Sequence, residues 1–379
     1  MKFTVSLIMA IVLLTPALNG QKVITNPEKP ATPNSGQVII PQKVMDIAGE
    51  SADFYFKWPN NIKIGKDGSI FVSDKKQLLK FTPEGRFILN YYKSGLGPGE
   101  AVSISNYFLL EDNSIVLHNQ APNKVVTFDS NGKLLSEIRL PFDKYFYFFF
   151  MNSDDYYFHV MNPQDTKGSA KMVDMNYEFL AVSRQTPTSL QKKIILPLQT
   201  YLYNSPGAYI VVTLVFLSLE HFRDNLFYLS HTPEYRIKLV DFSKNELISE
   251  ITRKYKRVAV TDENKKYLSS GQFSLDGKLY KSPTPEYLND IQSLHVVNNK
   301  LLVITSTTDK EKGVLVDVYD EFGKYTNCFY LKLPTSDSWL RLEQGAVEIS
   351  GDALFTIEQD KDENWMISKY RAPLAELLK

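Results

Sequence analysis

Three histidines stand at comparable places along the chain. His118, His159 and His231 follow the turn residues Asn113, Asp155 and Asn225 by five, four and six positions. A neutral imidazole is a common transition-metal ligand, so three rings arriving together would suit zinc. Rings that merely cap loop ends are the plainer alternative. A second cation signal is Asp360-x-Asp362-x-Asn364, the opening of a calcium loop in which hard oxygen ligands alternate. The match breaks off at Trp365, where the sharp turn needs glycine, and at Arg371, where a bidentate Glu should stand. A solvated acidic loop is the better reading, with Asp309 and Glu311 able to enlarge an acidic patch beside it.

Other chemistries find less support. Gly95 to Glu100 is glycine-rich like a phosphate loop, but it lacks the Lys-Ser/Thr ending and no helix follows. Its glycines suit a tight crossover instead. There is no Gly-x-Ser-x-Gly elbow for a serine nucleophile. The one cysteine, Cys328, falls in a strand-like segment between Asn327 and Phe329; it cannot form an internal disulfide and reads as an inert thiol. The 43 basic and 43 acidic side chains balance. That argues against a nucleic-acid partner, which calls for a basic surface.

The elements that would carry these residues are strands. Short Val-, Ile-, Tyr- and Phe-rich runs alternate with Asp, Asn and Gly turns, and helical periodicity is absent apart from the last positions, 374–378. One order recurs six times: turn, strand, loop, strand ending in an aromatic or Val, tight turn, strand. The equivalent strand ends are Phe81, Phe128, Val173, Val240, Tyr319 and Tyr370, separated by 47, 45, 67, 79 and 51 residues. Four-stranded propeller blades recur at roughly 40–50 residues. The two long intervals carry insertions, at 185–208 and 255–285.

The expected fold is therefore all-β, a six-bladed β-propeller of four-stranded antiparallel blades at roughly 54–93, 104–140, 146–184, 209–252, 292–332 and 345–371. Ring closure hides the sheet edges. The sixth copy stops after its third strand, so residues 37–47 are expected to close the ring by joining that blade. The aromatic runs 145–150 and 156–158 would fill the gaps between blades, although such rings could also stack on a sugar or a peptide.

Ahead of the ring, Lys2 precedes an apolar stretch from Val5 to Leu14, then Thr15, Pro16 and small or polar residues to Gly20. This is the pattern of a cleavable secretory signal over residues 1–20, and the stretch is too short to span a membrane. No cysteine follows it, which excludes a lipoprotein anchor, so a secreted or periplasmic protein is expected. Residues 21–36, with Pro27, Pro30 and Pro33, read as a flexible tether, and 37–379 as the propeller.

Trp58-Pro59-Asn60-Asn61-Ile62, Gly65 through Asp74, Phe81 and Gly95-Leu96-Gly97-Pro98-Gly99-Glu100 together resemble the NHL-like six-bladed β-propellers of bacterial secreted proteins. The likeness is strong over 54–140 and rests on turns and strand order beyond. It implies that loops joining second to third strands gather at one mouth of the central channel. Those loops begin near Asp74, His118, His159, His231, Thr307 and Glu358. The expectation is a monomeric, non-catalytic binding module taking a protein, peptide or carbohydrate on that rim. The competing reading is a metal-dependent lyase or lactonase-type enzyme, with zinc or calcium at the channel mouth.

Overall fold

The computed structural model describes residues 22–378, except 34, 50–52, 105, 143–146, 164–170, 206–207, 213–214, 216, 263, 266–271, 276, 282 and 334–344. The signal segment lies outside the described residues. Three strands come first: β1 (Lys22–Asn26), β2 (Gln37–Ile39) and β3 (Gln42–Ile47). Six sheets follow. Blade one is β4 (Pro59–Ile64), β5 (Ile70–Asp74), β6 (Gln77–Phe81) and β7 (Phe87–Asn90). Blade two is β8 (Asn106–Leu109), β9 (Ile115–Gln120), β10 (Asn123–Phe128) and β11 (Leu134–Arg139). Blade three is β12 (Tyr147–Met151), β13 (Asp155–Pro163), β14 (Lys171–Ser183), β15 (Leu190–Ser205) and β16 (Ala208–Val212). Blade four is β17 (Ser218–Arg223), β18 (Leu226–Ser230), β19 (Arg236–Asp241) and β20 (Glu246–Arg253). A hairpin, β21 (Gln272–Leu275) and β22 (Lys278–Lys281), precedes blade five: β23 (Ile291–Val297), β24 (Lys300–Asp309), β25 (Gly313–Tyr319) and β26 (Tyr325–Leu331). Blade six is β27 (Val347–Ser350), β28 (Ala353–Gln359) and β29 (Trp365–Arg371), completed by β3 running antiparallel to β29. This is a six-bladed β-propeller.

The turns explain why the blades repeat. Before the outer strands, Asp129 Oδ1 accepts from the backbone N–H groups of Asn131 (2.9 Å) and Lys133 (2.8 Å). Asp320 does the same with Phe322 (3.0 Å) and Lys324 (2.8 Å). Each such turn ends on a glycine in the left-handed region, Gly132 at φ 82° and Gly323 at φ 80°. A Cβ is disfavoured there. Between blades lie six apolar wedges, one in each gap, which is what closure of a six-membered ring requires. Phe148, Tyr156 and Phe158 fill the gap between blades two and three, and Phe150 and Tyr157 the next one. The described part of the aromatic run is thus mostly packing. Tyr145 and Phe146 lie outside the described residues.

The N-terminal segment differs from expectation. The described residues between 22 and 36 do not hang free: β1 pairs in parallel with β20 on the outer edge of blade four. The chain then hydrogen-bonds along blade five through Ala31, Thr32 and Gly36 to the carbonyls of Tyr325, Thr326 and Cys328 (3.1, 2.9 and 2.8 Å). β2 pairs in parallel with β26, and only β3 closes blade six, so the single closing strand expected over 37–47 is split between two blades. Proline-rich composition prevents a segment from building a core of its own. It does not prevent an extended backbone from satisfying exposed strand edges.

Asn26, buried at 4% exposure, is the rivet of this strap. Its Nδ2 donates to Thr252 O (3.2 Å) and Gly323 O (3.0 Å), and its Oδ1 accepts from Tyr325 N (2.8 Å). Asn26→Ala leaves buried backbone groups of two blades unpaired, and should cost about 2 kcal/mol. Urea denaturation measures that loss, and limited proteolysis should show earlier cleavage within residues 22–40. Unchanged stability and cleavage would refute the rivet role.

Candidate functional site

Alternation of strand direction places the loops between second and third strands, and the connections leaving each outer strand, at the same end of the ring. Of the six loop-start residues named from the sequence, the five with ionisable side chains, Asp74, His118, His159, His231 and Glu358, lie at or near that end. Four of the five are committed to holding the fold. Asp74, 1% exposed, accepts from the backbone N–H groups of Lys57 (2.6 Å) and Trp58 (2.8 Å), fixing the entry into β4. His118, fully buried, pairs its Nε2 with Asn123 Oδ1 (2.8 Å) and packs against Phe148 and Phe158. His159 lies among Tyr147, Phe149, Tyr177 and Phe179. Its Nδ1 is buried without a partner among the described residues.

Glu358 belongs to the ring closure: its Oε1 accepts from Thr356 (2.6 Å) and Tyr370 (2.7 Å), and its Oε2 faces Lys43 Nζ of β3 at 3.5 Å. Asp360 organises a hairpin turn, its Oδ1 accepting from the N–H groups of Asp362 (2.8 Å) and Asn364 (2.9 Å). Its carboxylate holds that turn, with Asn364 Nδ2 donating to Oδ2 (3.2 Å). Among the described residues no three His, Cys, Asp or Glu side chains stand close enough to share an ion. The three histidines belong to three different packing environments.

The glycine-rich segment 95–100 joins blade one to blade two as a tight crossover. Buried Lys124 donates to Gly97 O (3.0 Å) and to Glu137 (3.0 Å), and Glu137 also accepts from Gly99 N (2.8 Å).

His231 has a different setting. It lines a cavity of about 810 Å³ at the same end of the ring, a size suited to a small-molecule or peptide segment. Three walls meet there. The extended β14 and β15 of blade three bring Asp174, Asn176, Leu198, Gln199 and Tyr201; the blade-four loop brings His231 to Glu234; the connection into blade five brings Arg257 and Pro285 to Tyr287. The segment expected as an insertion at 185–208 instead carries β15, the lengthened fourth strand of blade three. This wall touches the hairpin before blade five: Tyr203 donates to Lys281 O (3.2 Å) and packs on Tyr280.

The imidazole of His231 is 3% exposed and bonds to the Pro197 carbonyl across the blade gap. Burial, with Lys238 nearby, pushes its pKa down to about 4, so the ring is neutral at pH 7. A neutral ring donating through one nitrogen keeps a lone pair on the other. Arg257 donates to Asp290 Oδ1 (3.1 Å) and Pro233 O (3.2 Å) and lies over the Tyr287 ring. Burial raises the Asp290 carboxyl to about 6 against the pull of Arg257. Neither Arg257 nor Asp290 stood out in the sequence. Only the interruption of the repeat near residue 255 pointed toward them.

The family model described as a 6-bladed beta-propeller, DUF5128, matches residues 51–267. A solved member of the DUF4221 family from Bacteroides vulgatus is similar at 8% identity over 89% of this chain and 99% of that one, with TM-score 0.52. A Bacteroides fragilis protein described as exported shares 12% identity over 92% and 99%, with TM-score 0.47. A gluconolactonase from Xanthomonas campestris shares 11% over 90% and 97%, with TM-score 0.41. Likeness at this level extends to fold alone. No curated protein matches the chain. No helix among the described residues is long and apolar enough to cross a membrane.

Proposed function

The chain belongs to the 6-bladed β-propeller family DUF5128, and from that premise we propose that it is a binding module whose ligand enters the rim cavity between blades three and four. The supporting observation is that cavity's construction. The extra length of β14 and β15 and the long connection before blade five converge on it, whereas a plain six-fold repeat would need neither. Loops carried on a rigid scaffold are where recognition is usually built.

The same reading keeps the NHL-like character of blade one, whose glycine-rich crossover supports the ring away from the cavity. It also keeps an extracytoplasmic location, inferred from residues 2–20; N-terminal sequencing of the exported protein should find Gln21 or a residue beside it. Binding needs no metal in this reading, because Asp74, His118, Glu358 and Asp360 already serve the backbone or the core.

The test is a thermal-shift screen of amino acids, short peptides, oligosaccharides and nucleosides against the protein and its Thr232→Trp variant. Thr232 is half-buried in the cavity wall, outside the core clusters. Compounds that raise the melting temperature of the parent should fail with the variant, and chelator should change neither result. Ligands that stabilise both proteins equally would place the site elsewhere and overturn the proposal.

A further inference from the structure

The cavity lining has a pronounced imbalance of charge. Asp174, Glu234 and Glu286 contribute carboxylates from three separate walls, and none has an ion-pair partner among the described residues. Asp174 receives only the Gln199 amide, at 3.2 Å. Arg257 is the one guanidinium in the lining, and it is already paired with the buried Asp290 and with backbone carbonyls. His231, buried in the wall and neutral, adds no charge. The lining therefore carries three carboxylates against one engaged guanidinium and is net negative.

Among the lining residues, a ligand carboxylate or phosphate would meet three carboxylates and only the guanidinium already engaged with Asp290. A donor-rich cation would meet acceptors on every side. Beside the neutral polar Asn176, Thr232 and Asn289, the lining offers apolar surface from Met172, Leu198 and Val215 and from the rings of Tyr201 and Tyr287. Such a wall accommodates the hydrocarbon stem of a long cationic side chain and can face its charged head with an aromatic ring.

Building on the rim-binding reading above, we infer that the cavity takes an organic cation, an ammonium or guanidinium carried on an apolar stem. Lysine or arginine side chains of a peptide and free alkyl polyamines share this chemistry. Isothermal titration of the full chain with the blocked tripeptides Ala-Lys-Ala and Ala-Glu-Ala, with spermidine and with maltotriose tests it. The lysine peptide or spermidine should bind, and the glutamate peptide should bind at least about tenfold more weakly. Raising salt from 50 to 500 mM should weaken the cationic probe several-fold. The double substitution Asp174→Asn with Glu286→Gln, both at exposed positions, should weaken it about tenfold without lowering the melting temperature.

A preference between lysine peptide and spermidine identifies the source of the cation. Tighter binding of Ala-Glu-Ala or maltotriose overturns the cation inference, as does failure of both cationic probes. If the Thr232→Trp variant still blocks whatever does bind, the rim reading survives. Cationic binding that persists unchanged in Thr232→Trp would instead overturn the location.

Discussion

Replacing Asp317 by Ala should remove about 3–5 kcal/mol of stability, a large share of the 5–15 kcal/mol typical of a folded domain. Asp317 is wholly buried on β25. Its Oδ2 accepts from Arg253 Nε (2.8 Å) and Tyr235 OH (2.6 Å), and its Oδ1 from Tyr325 OH (2.8 Å). Arg253 comes from the end of β20, so the pair bridges blades four and five. Its side chain is 5% exposed, with the guanidinium over the rings of Tyr235, Tyr255 and Tyr325 at 4.9–5.0 Å. Burial works to raise the Asp317 pKa, while Arg253 and the tyrosine hydroxyls oppose it.

Deleting the carboxylate strands a desolvated guanidinium and two buried phenol hydroxyls, and that uncompensated charge dominates the cost. Replacing both partners, Asp317→Leu with Arg253→Met, should recover most of the loss, since neither charge then has to leave water. Urea denaturation of parent, single and double variants measures the cycle. A single variant within 1 kcal/mol of the parent would contradict the assignment of Arg253 and Asp317 as the clamp between these blades.

The contrast between strap and ring shows what the sequence could carry. Blade number follows from local chemistry. Turns such as Asp129 to Gly132 and Asp320 to Gly323 need particular residues at particular backbone angles, and strands need a period-two pattern, so both are written into neighbouring positions. The strap is held by backbone hydrogen bonds to strands about 227 and 292 residues away (Lys22 with Ser249, Gln37 with Phe329). Such bonds demand almost nothing of side-chain type, and a proline-rich stretch therefore looks free.

The rim residues make the same point in reverse. Asp74, His118 and Glu358 have chemistry-bearing side chains near the expected mouth, but second strands lie away from the channel wall, and their side chains turn into the gaps between blades. The inner strands β4, β8, β12, β17, β23 and β27 lie at the centre instead. The cavity was legible only as two interruptions of a period. Which carboxylates stand near His231 depends on how the long strands of blade three and the connection into blade five fold over the rim, and no local pattern specifies that.

Acidification from pH 7 to pH 5 should destabilise the protein, by about 4 kcal/mol when four buried histidines are set against Asp290 and Glu348 alone. Burial lowers the pKa of His118, His159, His231 and His295 from 6.5 to about 4. Between those values the unfolded chain binds a proton at each ring and the folded one does not, so stability is lost as pH falls through that window. Each group contributes about 2 kcal/mol of loss at pH 5.

Carboxyls raised by burial oppose them: Asp317 in direction, and Asp290 and Glu348 by the following amounts. Burial raises Asp290 to about 6 and Glu348 to about 7, so the folded state takes up these protons first, and stability is gained as pH falls toward the unfolded values near 4. Together they return about 3–4 kcal/mol over the same interval. The histidines win because there are more of them. Urea midpoints at pH 7, 6 and 5 check the sign, and Glu348→Gln separates the two sides: without that opposing carboxyl, the loss on acidification should deepen by about 2 kcal/mol. Stability that stays flat to pH 5 in both proteins would mean that the imidazoles are hydrated in solution and that the gaps between blades are less tightly closed than the structure shows.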